Sequence, residues 1–388
     1  MKKSTTLNQI NYSYEVIEVY PLYDITPVSA KGTKVIADDG SDYLDLYGGH
    51  AVISIGHSHP HYVKRLKDQL DCIGFYSNAV QNPLQVELAE QLGRLSSCED
   101  YQLFLINSGA EANENALKVA SFVTEKKRII AFDKAFHGRT SAAVMATDNP
   151  KIQAPINTQQ EVSYVAFEDI KALETELSKG DVCAVIIESI QGVGGLDMPS
   201  QEFMNAVVAL SKKYGALVIA DEVQSGYGRS GKFFAFQHYG IQPDLITIAK
   251  GMGNGFPVAG VLIAPHIKPW YGMLGTTFGG NHLACAASLA VLEVIEKEQL
   301  IENASSLEDY FRSKASELSQ IKAIKGKGLM LGMEFDFEVA ALRKNLITKH
   351  HIFTGAASNK NLLRILPALN VSKGAIDQFF TALKTELS

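Results

Sequence analysis

The chain is poor in several residue types, and each scarcity removes a class of protein. Its 388 residues include four cysteines, Cys72, Cys98, Cys183 and Cys285. They lack the paired spacing of a zinc site and the density of a disulfide framework, so they read as reduced thiols. Charge of one sign is also scarce. Thirty-six basic against 42 acidic residues leave a formal net charge of −6, with no basic footprint for nucleic acid. No apolar run is long enough to cross a bilayer, and Met1-Lys-Lys-Ser-Thr-Thr leads into polar residues, not an apolar signal segment. A cytoplasmic protein without membrane or nucleic-acid partners is expected. Disorder is not expected either, since 46% hydrophobic and 20% charged residues suit a large buried core.

What is present is an alternation of apolar runs with helical patterns. Strand-like runs fall at 103–106, 128–132, 182–188, 216–221, 244–249 and 258–263. Such alternation predicts an α/β fold, a mostly parallel sheet wrapped by helices with ligands at the carboxyl ends of the strands. Ahead of it, residues 33–37 and 43–46 read as a hairpin closed by the Gly40 turn. From about residue 285 the pattern changes to amphipathic helices at 284–297 and 307–318, a glycine-rich strand at 326–332 and a final helix from Lys373. Three alternating histidines, His57, His59 and His61, raise the question of a metal, but the spacing alone does not bring them to one point and no metal is expected. Ser58 is instead expected to cap a helix with Pro60 in its first turn and Val63, Leu66 and Leu70 as its buried stripe.

The chemistry centres on Lys250, delivered by the apolar run Leu245-Ile-Thr-Ile-Ala and followed at once by Gly251-Met-Gly253. An ammonium at the end of a buried strand carries a desolvation penalty, which condensation with an aldehyde removes. Another buried run, Leu217-Val-Ile-Ala, delivers Asp221. An amine and a carboxylate on two strand ends match the needs of pyridoxal 5′-phosphate, whose aldehyde takes the amine and whose ring nitrogen is kept protonated by the acid. Asn107-Ser108-Gly109-Ala110-Glu111 follows a strand and opens a helix, a suitable cradle for a phosphate. Gly275-Thr276-Thr277-Phe278-Gly279 adds two hydroxyls. In Phe136-His-Gly-Arg139 the ring can stack on a cofactor and the arginine can grip a carboxylate. Glu188-Ser-Ile-Gln-Gly192 ends another strand with polar residues, and Arg364 stands alone in an apolar segment.

Together the segments 107–114, 136–140, 221–224, 249–251, 276–281 and 363–364 resemble the class III aminotransferases that use pyridoxal phosphate, and most closely the N-acylornithine (acetylornithine) branch. The resemblance runs from about residue 20 to the end. It implies the aspartate-aminotransferase-type fold (fold type I), with a small α+β domain from residues 1–60 and 286–388, a large cofactor domain from 61–285, and a homodimer with shared sites. It implies Lys250 as the Schiff-base lysine and Asp221 as partner of the ring nitrogen. Phe136 and Val223 would sandwich the ring, and Gln224 would reach its phenolic oxygen. Ser108, Gly109 and Ala110 would hold the phosphate, with Thr277 from the neighbouring subunit. Arg139, with Thr276 nearby, would take the donor's α-carboxylate, and Arg364 a carboxylate of the second substrate. The implied reaction moves the terminal amine of an N-acylornithine, acetylated or succinylated, to 2-oxoglutarate, as in arginine biosynthesis; ornithine, 4-aminobutyrate and other ω-amino acids are the alternative donors.

Three positions depart from the family pattern. Ser189 and Val193 stand where the family usually has proline and glutamate, and Lys325 where it often has arginine. Loss of the glutamate, which can pair with the arginine in relatives, is expected to leave Arg364 available to an anion.

Overall fold

The structure, a computed structural model, describes residues 16–388. The opening segment read above for the absence of a signal lies outside the described residues. Near the N-terminus β1 (Pro27–Lys31), β2 (Lys34–Ala37) and β3 (Asp42–Asp45) form an antiparallel meander, the expected hairpin with one strand added in front.

Aliphatic runs build the central sheet from β4 (Gln102–Ile106), β5 (Arg128–Phe132), β6 (Val162–Val165), β7 (Val182–Ile187), β8 (Leu217–Asp221), β9 (Leu245–Ile248) and β10 (Ala259–Ile263), in the order β4-β10-β9-β8-β7-β5-β6. Every pair is parallel except those that β10 makes with β4 and β9, so β10 alone runs backwards. Strand β6 was not anticipated, because a four-residue edge strand carries no sustained apolar run.

The runs are continuous because both faces are covered. Ile129, Ala131, Ala184 and Ile186 pack with Ala112, Ala116 and Val119 of helix Gly109–Thr124. Their strand neighbours Ile130, Phe132, Val185 and Ile187 pack with Phe203, Met204 and Val207 of helix Gln201–Tyr214 on the other side. Alanines on the first helix let it lie close to the sheet, which sets its N-terminus beside the ends of β8 and β9.

The C-terminal part contributes β11 (Ala323–Lys327), β12 (Met330–Glu334), β13 (Ile352–Phe353), β14 (Gly355–Ala356) and β15 (Leu362–Ile365). The glycine-rich segment read as one strand is the hairpin β11–β12, turned at Gly328 in the left-handed region. Strand β13 pairs in parallel with β3, so the two ends of the chain share a sheet.

The helix after the histidines departs from expectation. It spans Pro60–Cys72 with Pro60 in its first turn, but His59 occupies the cap position and makes no capping bond, while Ser58 is left-handed. Tyr62 is its buried residue; Val63 and Leu66 are half-buried and Leu70 is exposed. The tyrosine hydroxyl finds a carbonyl in the 250–254 turn, and this specific bond overrides the aliphatic stripe. Among the described residues no helix is long and apolar enough to cross a membrane.

One buried cation ties the chain ends to the central region. Arg229 donates from Nη1 to the carbonyls of Leu329 at 3.1 Å and Pro367 at 2.7 Å, and from Nη2 to that of Ile53 at 3.4 Å. Burial holds its guanidinium down at about 10. Arg229→Met keeps the bulk but leaves those carbonyls without donors, so unfolding free energy should fall by about 2–4 kcal/mol. Urea denaturation checks this, and a loss below about 1 kcal/mol would show that the tie is dispensable.

Candidate active site

Four buried residues form β9, and Ala249 extends it to Lys250, which adopts a left-handed φ of 47° at the start of a short turn. A lysine in that conformation is strained and persists only where its surroundings impose it. Here the N-terminal segment does so. Ser54 Oγ donates to Gly251 O at 2.7 Å and the Tyr62 hydroxyl to Gly253 O at 2.7 Å. Asn254 accepts from the amides of Ser54 and Ile55 at 2.9 and 3.1 Å and donates to Gly56 O at 3.0 Å, working as a short piece of strand. Lys250 projects into a cavity of about 400 Å³, within the range of small-molecule sites. Burial holds its ammonium below the usual lysine range, opposed by Asp221 and Glu188 and reinforced by Arg364 and Arg229.

Asp221 ends β8 on the same cavity and is 4% exposed. Its Oδ2 accepts from Asn113 Nδ2 at 2.8 Å and pairs with His137 Nδ1 at 2.7 Å, while Oδ1 accepts from the Val223 amide at 3.0 Å. Three donors of this kind make a buried carboxylate tolerable. Burial alone would lower His137, but the hydrogen bond and charge of Asp221 outweigh it, helped by Glu188, and the imidazole titrates above its ordinary value. Glu188, just beyond β7, accepts from the Phe136 amide at 2.9 Å and the Gly192 amide at 2.8 Å; burial pushes its carboxyl up.

Helix Gly109–Thr124 opens on the cavity. Ser108 and Glu111 close a reciprocal cap in which Glu111 accepts from the amides of Asn107 and Ser108, and the Gly109 and Ala110 amides begin the helix beside them. Gly109 is required there, because a Cβ would lie 2.6 Å from Val223 Cγ1. Phe136, Val223 and Gln224 line the cavity too, and Gln224 holds its Nε2 on His50 O at 3.2 Å while its Oε1 has no partner.

Sequence reasoning thus named nine residues that one cavity gathers: Ser108, Gly109, Ala110, Phe136, Arg139, Asp221, Val223, Gln224 and Lys250. Arg139 is exposed at its edge. Thr276 and Thr277 are not gathered; Thr276 borders a separate recess with Asn78 and Gln85, and Thr277 is exposed. Arg364 is not as free as expected. It is 4% exposed behind the cavity wall, donating to Gly192 O at 2.6 Å and to the Tyr47 hydroxyl at 3.3 Å, and only its Nε lacks a partner. Without a glutamate at 193, a backbone carbonyl occupies part of the guanidinium. Lys325 pairs with Asp197 at 2.9 Å and Glu334 at 3.5 Å, a structural ion pair. Ser189 is buried with an unpartnered hydroxyl, which nothing in the structure explains. His57, His59 and His61 pair with three different carboxylates, Asp45, Glu298 and Glu293.

Asn113, His137 and Glu188 were given no role at the site by sequence reasoning. Asn113 and His137 lay inside the motifs already singled out, and the signal that marked Asp221, an acid closing a buried strand, marks Glu188 as well.

Comparison with known proteins agrees with this arrangement. The family described as "Aminotransferase class-III" matches residues 18–387. Acetylornithine aminotransferase of Bacillus subtilis is 39% identical over 96% of this chain and 97% of its own length. Succinylornithine transaminase of Photorhabdus laumondii is 36% identical over 93% of each. A crystal structure of ornithine aminotransferase from Toxoplasma gondii, with partial occupancy of pyridoxal phosphate at its active site, superposes with a TM-score of 0.86 at 26% identity, covering 95% of this chain and 91% of that one. The chain belongs to the class III aminotransferases.

Proposed function

We propose that this protein is a pyridoxal-phosphate-dependent aminotransferase that moves the terminal (δ) amino group of an N-acylornithine to 2-oxoglutarate, yielding the N-acylglutamate semialdehyde and glutamate, in arginine biosynthesis in the cytoplasm. The observation that carries the reading is the strained Lys250 facing a cavity that also holds the triply hydrogen-bonded Asp221. The residues present fit the cofactor. The helix start at Gly109 and Ala110 suits its phosphate, the unpartnered Gln224 Oε1 marks a polar position, and Phe136 and Val223 supply an apolar slot whose width Gly109 preserves.

When bound, pyridoxal phosphate supplies an aldehyde for the amine and a protonated ring that draws electrons from the bond to be broken. The protein's part is binding, orientation and proton movement. Asp221, fixed in place by its three hydrogen bonds, is the acceptor for a ring N–H. His137 and Asn113 position that carboxylate. Lys250 Nζ, held below the usual lysine range by burial, would take the proton from the substrate carbon bearing the amine and deliver it to the carbon that carried the cofactor's aldehyde. Arg139, exposed at the cavity edge, meets the donor's α-carboxylate, and Arg364 serves a carboxylate of the second substrate. Thr276 and Thr277 lie outside their own chain's cavity, which fits a homodimer in which Thr277 reaches a second copy's phosphate. Assays of N-acetylornithine, N-succinylornithine, ornithine and 4-aminobutyrate with 2-oxoglutarate test the assignment. A preference for an unacylated donor would overturn it.

Lys250→Ala should abolish transamination while leaving a folded protein that still binds the cofactor non-covalently. Full activity in that variant would remove Lys250 from the chemistry. Asp221→Asn should bind the cofactor yet turn over at least about tenfold more slowly, equivalent to about 1.4 kcal/mol of barrier. A smaller loss in kcat would show that Asp221 does not face the ring nitrogen.

A further inference from the structure

Residues 48–51 form a single left-handed helical turn, with φ of 55° at Gly48, 54° at Gly49, 67° at His50 and 64° at Ala51. Amides 51 and 52 bond to the carbonyls of Tyr47 and Gly48, closing it. Glycines accept this conformation, but L-residues are strained in it, so His50 and Ala51 store strain beside the cavity. The turn sets the His50 ring against Tyr47, with ring centroids 4.8 Å apart and the Tyr47 hydroxyl 2.5 Å from His50 Nδ1. The Tyr47 ring is itself seated on the backbone, since a Cβ at Gly355 would lie 2.3 Å from Tyr47 Cε2.

The same hydroxyl accepts from Arg364 Nη2, and the guanidinium carbon lies 5.8 Å from the centre of the Tyr47 ring. Arg364 has no carboxylate partner among the described residues: its acceptors are Gly192 O and Tyr47, and its Nε, nine-tenths buried with the rest of the side chain, has none. The nearby acids are already occupied. Asp45 accepts from the amides of Tyr47 and Gly48 and pairs with His57, and Glu188 accepts from the amides of Phe136 and Gly192. The charged groups facing His50 are Arg364 on β15 and Arg343 on helix Ala340–His350, both cationic, joined in the cofactor-free chain by Lys250 after β9. Two guanidiniums without a carboxylate partner among the described residues, close to the wall of a binding cavity, make a site for an anion.

We propose that Tyr47 and His50 complete, with Arg364, a subsite for the second carboxylate of a dicarboxylic substrate, and that His50 sets how tightly that carboxylate is held. The inference rests on the aminotransferase reading above. With His50 neutral and its ring proton on Nε2, the Tyr47 hydroxyl accepts from Arg364 and donates its only proton to His50 Nδ1, leaving nothing for a substrate. A proton on Nδ1 reverses that bond. The tyrosine oxygen then accepts from both Arg364 and His50, and its own proton is released to a carboxylate. Burial, together with Arg364, Lys250 and Arg343, holds free His50 below its ordinary value. An incoming carboxylate offsets the cations, raises it and draws the proton in, so dicarboxylate binding tightens as pH falls.

The test uses holoenzyme and two non-reacting probes, glutarate and butyrate, with Kd read by calorimetry between pH 5.5 and 8. Wild-type protein should bind glutarate more tightly than butyrate and gain affinity for glutarate towards low pH. His50→Asn keeps a residue that tolerates the left-handed backbone but cannot titrate. It should weaken glutarate about tenfold at low pH, the scale of one hydrogen bond to a charged group, flatten the profile and leave butyrate unchanged. Tyr47→Phe should weaken glutarate at low pH, where the hydroxyl proton is released to the ligand, and likewise flatten the profile. Equal losses for both probes, or an undiminished pH profile in His50→Asn, would overturn the subsite. Because neither probe is turned over, failure here is distinct from absence of aminotransferase activity, which the donor assays report.

Discussion

A carboxylate with almost no access to water must be paid for by its surroundings, and Asp221 sets that demand at the centre of this protein. Its three hydrogen-bonding partners come from the helix after β4, the loop after β5 and its own strand end. Each must be in place before the charge is tolerated, so the constraint couples helix, loop and sheet into one geometry. The cost of burial is what makes the group useful, since a carboxylate held in a dry setting with fixed donors acts on a bound cation far more strongly than one in water.

The amine on the next strand is governed by the opposite balance. Lys250 is destabilised as an ammonium by burial, and its backbone is held in a left-handed conformation by Ser54, Tyr62 and Asn254. The strain is thus supported from the N-terminal segment, which Arg229 in turn ties to the C-terminal part through Ile53, Leu329 and Pro367. Rigidity at Lys250 is distributed across contacts far from it in the chain, and the left-handed turn at residues 48–51 lies in the same N-terminal segment.

Two arginines divide the remaining positive charge. Arg139 lies exposed at the cavity edge, while Arg364 is buried behind it against a backbone carbonyl and a tyrosine. An exposed guanidinium is screened and mobile, whereas a buried one acts through whichever hydrogen bonds remain unmade. The absence of an acid at position 193 therefore does not expose Arg364. The arginine's partners are Gly192 O and the Tyr47 hydroxyl, and its Nε–H is the one donor left without an acceptor.

Local signals in the sequence sufficed for the α/β alternation, the six long runs, and the lysine and aspartate that end two of them, because a buried strand requires a continuous apolar run and a charge at its end is conspicuous. The helix start at Gly109 was legible for the same reason, since small residues and a cap act within a few positions. Periodicity misled at helix Pro60–Cys72, where Tyr62 has a polar partner 191 residues away, and a short edge strand left no pattern. Only the tertiary structure decided which groups meet. Asn113 and His137 reach Asp221 across 108 and 84 residues, and Tyr47 reaches Arg364 across 317. A hydrogen bond between distant segments leaves no trace in local composition, because it depends on how strands are ordered and how the ends of the chain fold back. The sequence by itself therefore determined which charged groups end the buried strands, and the tertiary structure alone decided their partners and the charge balance around them.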